Sequence, residues 1–355
     1  MPRSSANNTI IPLLKKLSDS LGTPQAKNEL RWLVEHARTT IAESNKPHHD
    51  SPKLLARLWR NQPAPSEEEL ELDRQRLTPV QWAWLRQAVH DRTKHHKPLQ
   101  YIIGDQQFGK TNVRVRPPVL IPRWETEEWM LRLAEMIKAD MVARDGGEQR
   151  SLSILDACTG TGCLALGLAS ELPDGVATIV GADISDEAVE LANENLAFNE
   201  MLLSNSVEFQ RLDLQAPNTA AKLLGLKTTW DMIISNPPYV TPAEYRDLDP
   251  DVKDWEDRRS LVPLPYMADP VTVKDEELDP SGIAFIVNLA KMARQLGLDK
   301  YDPHVGKLPR LVVEIGGEHQ VEPVRQAMHD QGLNSTEVWK DMAGTDRVVL
   351  GYVKP

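Results

Sequence analysis

Ser153-Ile154-Leu155-Asp156-Ala157-Cys158-Thr159-Gly160-Thr161-Gly162-Cys163 is the stretch on which the fold turns. Ser153 to Ala157 reads as a short buried strand, and Cys163 to Ser170 opens a helix. Between them lies a glycine turn. Gly160 and Gly162 carry no Cβ, so a cofactor can lie directly against the backbone there. Gly160, Gly162 and Ala165 also satisfy the G-x-G-x-x-G/A dinucleotide fingerprint, so the pattern alone does not choose the cofactor. A tight structural turn is the plain alternative.

Downstream, strand and helix signals alternate. Thr178 to Ala182, Val207 to Leu212, Asp231 to Ser235, Leu311 to Ile315 and Arg347 to Val353 read as strands. Ser185 caps a helix with Ala188, Leu191, Ala192 and Leu196 on one face, and Ile283 to Leu296 and Val321 to Met328 are helical. This alternation predicts an α/β fold, a mostly parallel sheet with helices on both faces. Ligands of such sheets bind beyond the carboxyl ends of the strands, where the polar motifs fall. Residues 263–280 are rich in proline and acids and fit no element, which predicts a mobile surface insertion.

Upstream, residues 8–97 carry almost only helical signals. Leu13, Leu14, Leu17 and Leu21 recur at helical spacing, as do Leu30, Leu33, Val34 and Ala37. Pro47-His48-His49-Asp50 reads as a turn. Ser66-Glu67-Glu68-Glu69 starts a helix, and Thr78-Pro79 starts another ahead of the packing pair Trp82 and Trp84. Tyr101-Ile102-Ile103, Val113, Val115, Val119 and Leu120 favour strands punctuated by Gly104 and Gly109. The expected organisation is a small all-α domain over 1–97, a hairpin-like linker over 98–122 and a catalytic domain over 123–355.

Composition narrows the class. The 355 residues hold 41 Lys and Arg against 52 Asp and Glu, a net charge of −11. Phosphate backbones and anionic lipid repel such a chain, which counts against nucleic-acid coats and membrane-surface proteins. No apolar run approaches the roughly 18 residues of a membrane span. Cys158 and Cys163 offer neither a disulfide framework nor a zinc spacing, so a reduced intracellular protein without a metal is expected. Arg3, Lys15 and Lys16, with no acid in residues 1–18, weakly resemble an organellar presequence.

Two further motifs carry chemistry. Asp183 ends the second strand, where an acid accepts both hydroxyls of a ribose, and it suits NAD and S-adenosylmethionine equally. Asp213, at the end of the third strand, suits an adenine amino group as acceptor, with a solvated loop acid as the alternative. Asn236-Pro237-Pro238-Tyr239 follows the apolar strand Met232-Ile233-Ile234. Methylating a planar NH2 group requires two acceptors that bind its hydrogens and leave its lone pair aimed at an electrophile. The Asn236 side-chain oxygen and the Pro237 carbonyl supply them, the prolines stiffen the backbone, and Tyr239 offers a flat face. No general base is needed. The nitrogen turns acidic only as it gains positive charge, and the two acceptors stabilise that charge.

Together these features resemble the HemK family, the peptide-chain release factor glutamine N5-methyltransferases. Lys97 to Gly104 resembles the family's linker signature and Leu120 to Glu127 its entry to the catalytic domain. Ile154 to Gly162 resembles the cofactor loop, Asn236 to Tyr239 the substrate motif, and Glu314 to Gln320 the turn after strand five. The resemblance implies a class I Rossmann-like methyltransferase sheet behind an N-terminal helical domain that docks the release factor. It implies S-adenosylmethionine as donor and the glutamine of a class I release factor's Gly-Gly-Gln loop as acceptor. It places Asp156, Cys158, Thr159, Gly160, Thr161 and Gly162 around the methionine part, Asp183 on the ribose, and Asp213 and Leu214 beside the adenine. Asn236, Pro237, Pro238 and Tyr239 would grip the glutamine amide. A monomer in mitochondria, or otherwise in the cytoplasm, is the accompanying expectation. Cys158 departs from a common family glycine, and Trp124 from a common proline.

Two rival functions share parts of the pattern. An adenine amino-methyltransferase on DNA or RNA uses the same amide logic but needs a basic groove. A nicotinamide oxidoreductase shares the glycine loop and leaves Asn236 to Tyr239 without a purpose. The cluster Arg92, Lys94, His95, His96 and Lys97 reads as a solvated basic face, with a release-factor or RNA contact as the alternative. His95-His96 and His48-His49 lack metal-site spacing.

Overall fold

The computed structural model describes residues 10–41, 77–143 and 151–354. The turn expected at Pro47 to Asp50 and the helix expected at Ser66 lie outside the described residues. The chain forms two compact units. One comprises residues up to Asp105 together with Pro250–Trp255, and the other comprises Gln106–Asp249 and Glu256–Pro355.

The first unit is helical. Helices Ile11–Leu21 and Thr23–Thr40 are joined at Gly22, and Pro79–Lys94 is capped by Thr78, whose side chain accepts from Gln81 N–H while the Gln81 side chain accepts from Thr78 N–H. Their apolar faces meet in a core of Leu17, Leu30, Leu33, Leu85 and Val89, with Trp82 buried among them. His36 stacks against Trp84 with centroids 5.0 Å apart, and burial lowers its pKa to about 4, so the imidazole there is neutral.

Arg92 does not belong to a solvated basic face. Its side chain is buried, with Nε 2.8 Å from Glu29 Oε2 and an Nη 3.3 Å from Asp251. Burial opposes its charge, but Glu29 and Asp251 more than offset this and raise its pKa. The Asp251 contact belongs to the short segment Pro250–Trp255, whose Trp255 also donates to the His95 carbonyl.

Tyr101-Ile102-Ile103 was expected as strand and is the end of a short helix, Leu99–Ile103. Pro98 starts it, and Gly104 stops it in the left-handed conformation at φ +93°, which outweighs the β-branched isoleucines over so short a stretch. The hairpin is β1 (Asp105–Phe108) and β2 (Thr111–Arg114). From Gln106 onward it belongs to the second unit. Asn195 and Asn199 bond the backbone of Asn112 and Arg114 from the helix Asp186–Asn199.

The second unit is built on one seven-stranded sheet in the order β5-β4-β3-β6-β7-β9-β8. These strands are β3 (Leu152–Ala157), β4 (Ala177–Asp183), β5 (Ser206–Arg211), β6 (Met232–Ser235), β7 (Leu311–Glu314), β8 (Ser335–Lys340) and β9 (Asp346–Tyr352). β5, β4, β3, β6 and β7 are parallel, and β9 and β8 close the sheet antiparallel. Two apolar clusters cover the faces, one around Met130, Leu133, Leu164 and Leu168 and the other around Leu289, Ala290, Val324 and Met328. The strand order reverses beside β3, so the ends of β3, β4 and β6 open onto one crevice, where such sheets bind ligands.

Residues 263–280 are not a bare surface insertion. They carry a 3-10 turn, Asp275–Glu277, and are tied down by Arg258, which donates to the carbonyls of Pro270 and Val273, and by Gln215, which donates to the carbonyl of Leu264.

Glu29→Ala leaves the buried Arg92 guanidinium with only the partly exposed Asp251. Urea denaturation of the full chain is expected to show the helical unit destabilised by about 3 kcal/mol. An unchanged transition would contradict the burial of this charge.

Candidate active site

At the carboxyl ends of β3, β4 and β6 lies a cavity of about 240 Å³ within the second unit. Its floor is the glycine turn. Asp156 is fully buried beneath that turn, where Oδ2 accepts from the Thr159 hydroxyl at 2.6 Å and from Ala165 N–H at 3.2 Å, while Oδ1 has no partner among the described residues. The carboxyl therefore ties the strand end to the first turn of the helix Cys163–Glu171.

Cys158 has φ +61°, a left-handed conformation that costs a non-glycine residue about 1–2 kcal/mol. The loop thus takes a glycine-like shape without the glycine. Gly160, at φ +54°, faces open space where a Cβ would project, and it lines the cavity. Gly162 is required for a different reason, because a Cβ there would lie 2.6 Å from the Phe209 ring.

Asp183 ends β4 at the cavity wall. Its Oδ2 accepts from Gly160 N–H at 2.9 Å and its Oδ1 from Ser185 N–H at 3.0 Å, which leaves further lone pairs on both oxygens. Burial raises its pKa, and these two backbone donors oppose the rise. Asp213 and Leu214 line the far side, where Asp213 Oδ1 accepts from Gln215 N–H. The outer wall comes from residues that sequence reasoning assigned to no site. Asp257 and Arg259 face the cavity as a bidentate ion pair, and Leu264, Pro265, Met267 and Pro270 complete the apolar side.

Asn236 and Pro238 line the same cavity. Asn236 Nδ2 donates to Thr126 Oγ1 at 3.1 Å, and Thr126 Oγ1 donates to Glu314 Oε2 at 2.7 Å. Trp129 Nε1 donates to the same carboxylate oxygen at 2.9 Å, and Tyr239 OH donates to Oε1 at 3.0 Å. Burial raises the Glu314 pKa, and the donors Trp129, Thr126 and Tyr239 oppose the rise with help from Arg347. The Tyr239 phenol is pushed well above 10 by burial and then by Glu314, so it stays protonated. Gln320 braces the loop from below, donating to the Tyr239 carbonyl at 2.8 Å and accepting from Gly316 N–H. Trp124, where a proline was the family expectation, opens the helix Trp124–Ala143 that carries Thr126 and Trp129.

Of the sequence-predicted residues, Cys158, Gly160, Asp183, Asp213, Leu214, Asn236 and Pro238 line the cavity. Asp156, Thr159, Thr161, Gly162, Pro237 and Tyr239 are not among its lining residues. Sequence reasoning gave no role to Thr126, Trp129, Glu314 or Gln320, although three of them lie in segments quoted for the family resemblance.

Burial holds the Asp156 pKa at about 7, against the opposing bonds from Thr159 and Ala165. A carboxyl that binds its proton more tightly when folded loses stability as pH rises from about 4 through about 7. Asp156→Asn cannot ionise, so its melting temperature is expected to fall less than the wild type's across that window. Parallel curves would contradict this assignment.

A family model described as the methyltransferase small domain matches residues 140–248. The release factor glutamine methyltransferase of Bacteroides thetaiotaomicron is 33% identical, over 73% of this chain and 77% of its own length. That of Aliivibrio fischeri is 31% identical, over 74% and 77%. The mitochondrial MRF1 N(5)-glutamine methyltransferase MTQ1 of Saccharomyces cerevisiae is 33% identical, over 52% and 53%. With a mostly parallel sheet, a glycine loop at its switch point and relatives matched along most of their length, the chain belongs to the release factor glutamine methyltransferase family.

Proposed function

We propose that this enzyme transfers a methyl group from S-adenosylmethionine to the side-chain amide nitrogen of the glutamine in a release factor's Gly-Gly-Gln loop. The observation that carries this reading is the Asn236 carboxamide on the wall of the cavity that Gly160 and Asp183 also line. The acceptor is a class I release factor of the bacterial type. The mitochondrial name of the yeast relative favours that compartment.

The residues present fit the cofactor. Gly160 leaves a space that a Cβ would fill, Asp183 keeps lone pairs for ribose hydroxyls, and the buried Asp156 has an unpartnered oxygen under the loop. In this reading the Cys158–Gly162 backbone holds the methionine part, Asp183 the ribose, and Asp213 with Leu214 the adenine. When bound, S-adenosylmethionine supplies an electrophilic methyl on a positively charged sulfur.

The protein's part is alignment. The Asn236 oxygen and the Pro237 carbonyl accept the two amide hydrogens of glutamine and hold the nitrogen's lone pair toward the cofactor. As the nitrogen gains positive charge, both acceptors bind it more tightly, which lowers the barrier selectively, and the alkylated nitrogen, now strongly acidic, sheds one of its two protons to solvent. Tyr239 keeps its proton and donates to Glu314, so it serves the site as a fixed wall and not as a base.

A release factor incubated with the enzyme and S-adenosylmethionine is expected to gain one methyl on the Gly-Gly-Gln glutamine by mass spectrometry. Methyl on DNA or RNA with none on the protein would overturn the assignment. Asn236→Ala is expected to lower kcat on the order of 100-fold while leaving cofactor affinity near wild type, and near-normal turnover would remove the amide grip. Calorimetry on Asp183→Ala should show S-adenosylmethionine binding weakened about 10-fold or more, and an unchanged dissociation constant would count against the ribose contact.

A further inference from the structure

A carboxamide has one end that accepts and one that donates, and only the accepting end can grip an NH2 group. Asn236 therefore works only in one of its two flipped orientations. We propose that Thr126 and Glu314 are positioning residues that fix this orientation, through a one-way chain of hydrogen bonds from Asn236 to Thr126 to Glu314. The proposal deepens the glutamine reading above and rests on it.

The chain has its direction because of Trp129. An indole N–H can only donate, and it donates to Glu314 Oε2 at 2.9 Å, so that oxygen is an acceptor. Thr126 Oγ1 lies 2.7 Å from the same oxygen and has one proton, which it gives to the carboxylate. What remains on Thr126 Oγ1 toward Asn236 is lone pair. Asn236 must answer with its NH2 end, at 3.1 Å, and this turns its oxygen away from Thr126. The opposite flip would set two acceptors face to face across a half-buried contact whose Thr126 end is closed to solvent. Thr126, Trp129 and Glu314 are all buried, so the Thr126 oxygen has no water to turn to in such a clash.

The fixed orientation of Asn236 also selects the substrate. Two acceptors, the Asn236 oxygen and the Pro237 carbonyl, welcome the NH2 of glutamine and repel the carboxylate of glutamate. A freely flipping Asn236 presents its NH2 part of the time and tolerates glutamate. Thr126 and Glu314 thereby determine specificity at a position neither of them touches.

The test uses the full-length enzyme, Thr126→Val and Thr126→Ser. The readouts are kcat and KM on release factor, the dissociation constant for S-adenosylmethionine, and inhibition by release factor carrying glutamate in place of the acceptor glutamine. Thr126→Val should lose about 10-fold in kcat, bind S-adenosylmethionine within about 2-fold of wild type and be inhibited by the glutamate form about 10-fold more strongly. Thr126→Ser keeps the hydroxyl and should recover kcat to within about 3-fold of wild type. If Thr126→Val does not fold, Thr126→Cys, a poor hydrogen-bonding side chain of similar size, replaces it with the same expectation. Wild-type kcat and selectivity in the valine or cysteine variant, or equal losses in the serine variant, would overturn the proposal. Failure of the wild-type enzyme to methylate release factor at all would instead overturn the functional reading beneath it.

Discussion

Glu314 is a carboxylate at the end of β7 with almost no exposure to solvent, and a buried charge of this kind persists only if donors surround it. Its donors come from elsewhere in the chain. Thr126 and Trp129 reach it from the helix Trp124–Ala143, and Tyr239 reaches it from the loop after β6. The helix Trp124–Ala143, strand β7 and the loop after β6 are thus held to one point. Losing any donor raises the cost of the charge that the others share, so the geometry around Asn236 is set collectively and not by Asn236 alone.

The cofactor side is arranged on the same logic with a different acid. Asp156 sits under the glycine turn and gathers the Thr159 hydroxyl and the Ala165 N–H, while Asp183 gathers Gly160 and Ser185 from above. Each carboxyl spends some of its accepting capacity on the backbone of the loop. The turn is stiff as a result, and stiff enough to hold Cys158 in a left-handed conformation that its side chain disfavours. Such stiffness suits a reaction whose barrier is lowered by alignment.

The parallel core was legible because each strand buried on both faces leaves a continuous apolar run, and Ile154-Leu155 and Ile233-Ile234 are of this kind. β8 escaped notice for the converse reason. It is an edge strand in which only Trp339 is buried, so its sequence carries little apolar signal. The motif ends that touch the cavity were also legible, since glycine loops and Asn-Pro-Pro-Tyr announce their chemistry locally. Thr126 and Glu314 were not, because an acid 188 positions away from its hydroxyl donor has no local signature. Nor was the wall formed by Leu264, Pro265 and Met267, whose irregular backbone shows no periodicity to read. Arg92 looked like one member of a basic run, and only tertiary packing brings Glu29 and Asp251 to it.

All of this converges on how a primary amide is held. A crystal structure of the enzyme with S-adenosylhomocysteine and a Gly-Gly-Gln peptide tests that point most directly. The glutamine side-chain nitrogen is expected within about 3.2 Å of both the Asn236 oxygen and the Pro237 carbonyl, with its open face toward the sulfur. A glutamine bound through its carbonyl to the Asn236 NH2, or a nitrogen turned away from the sulfur, would contradict it.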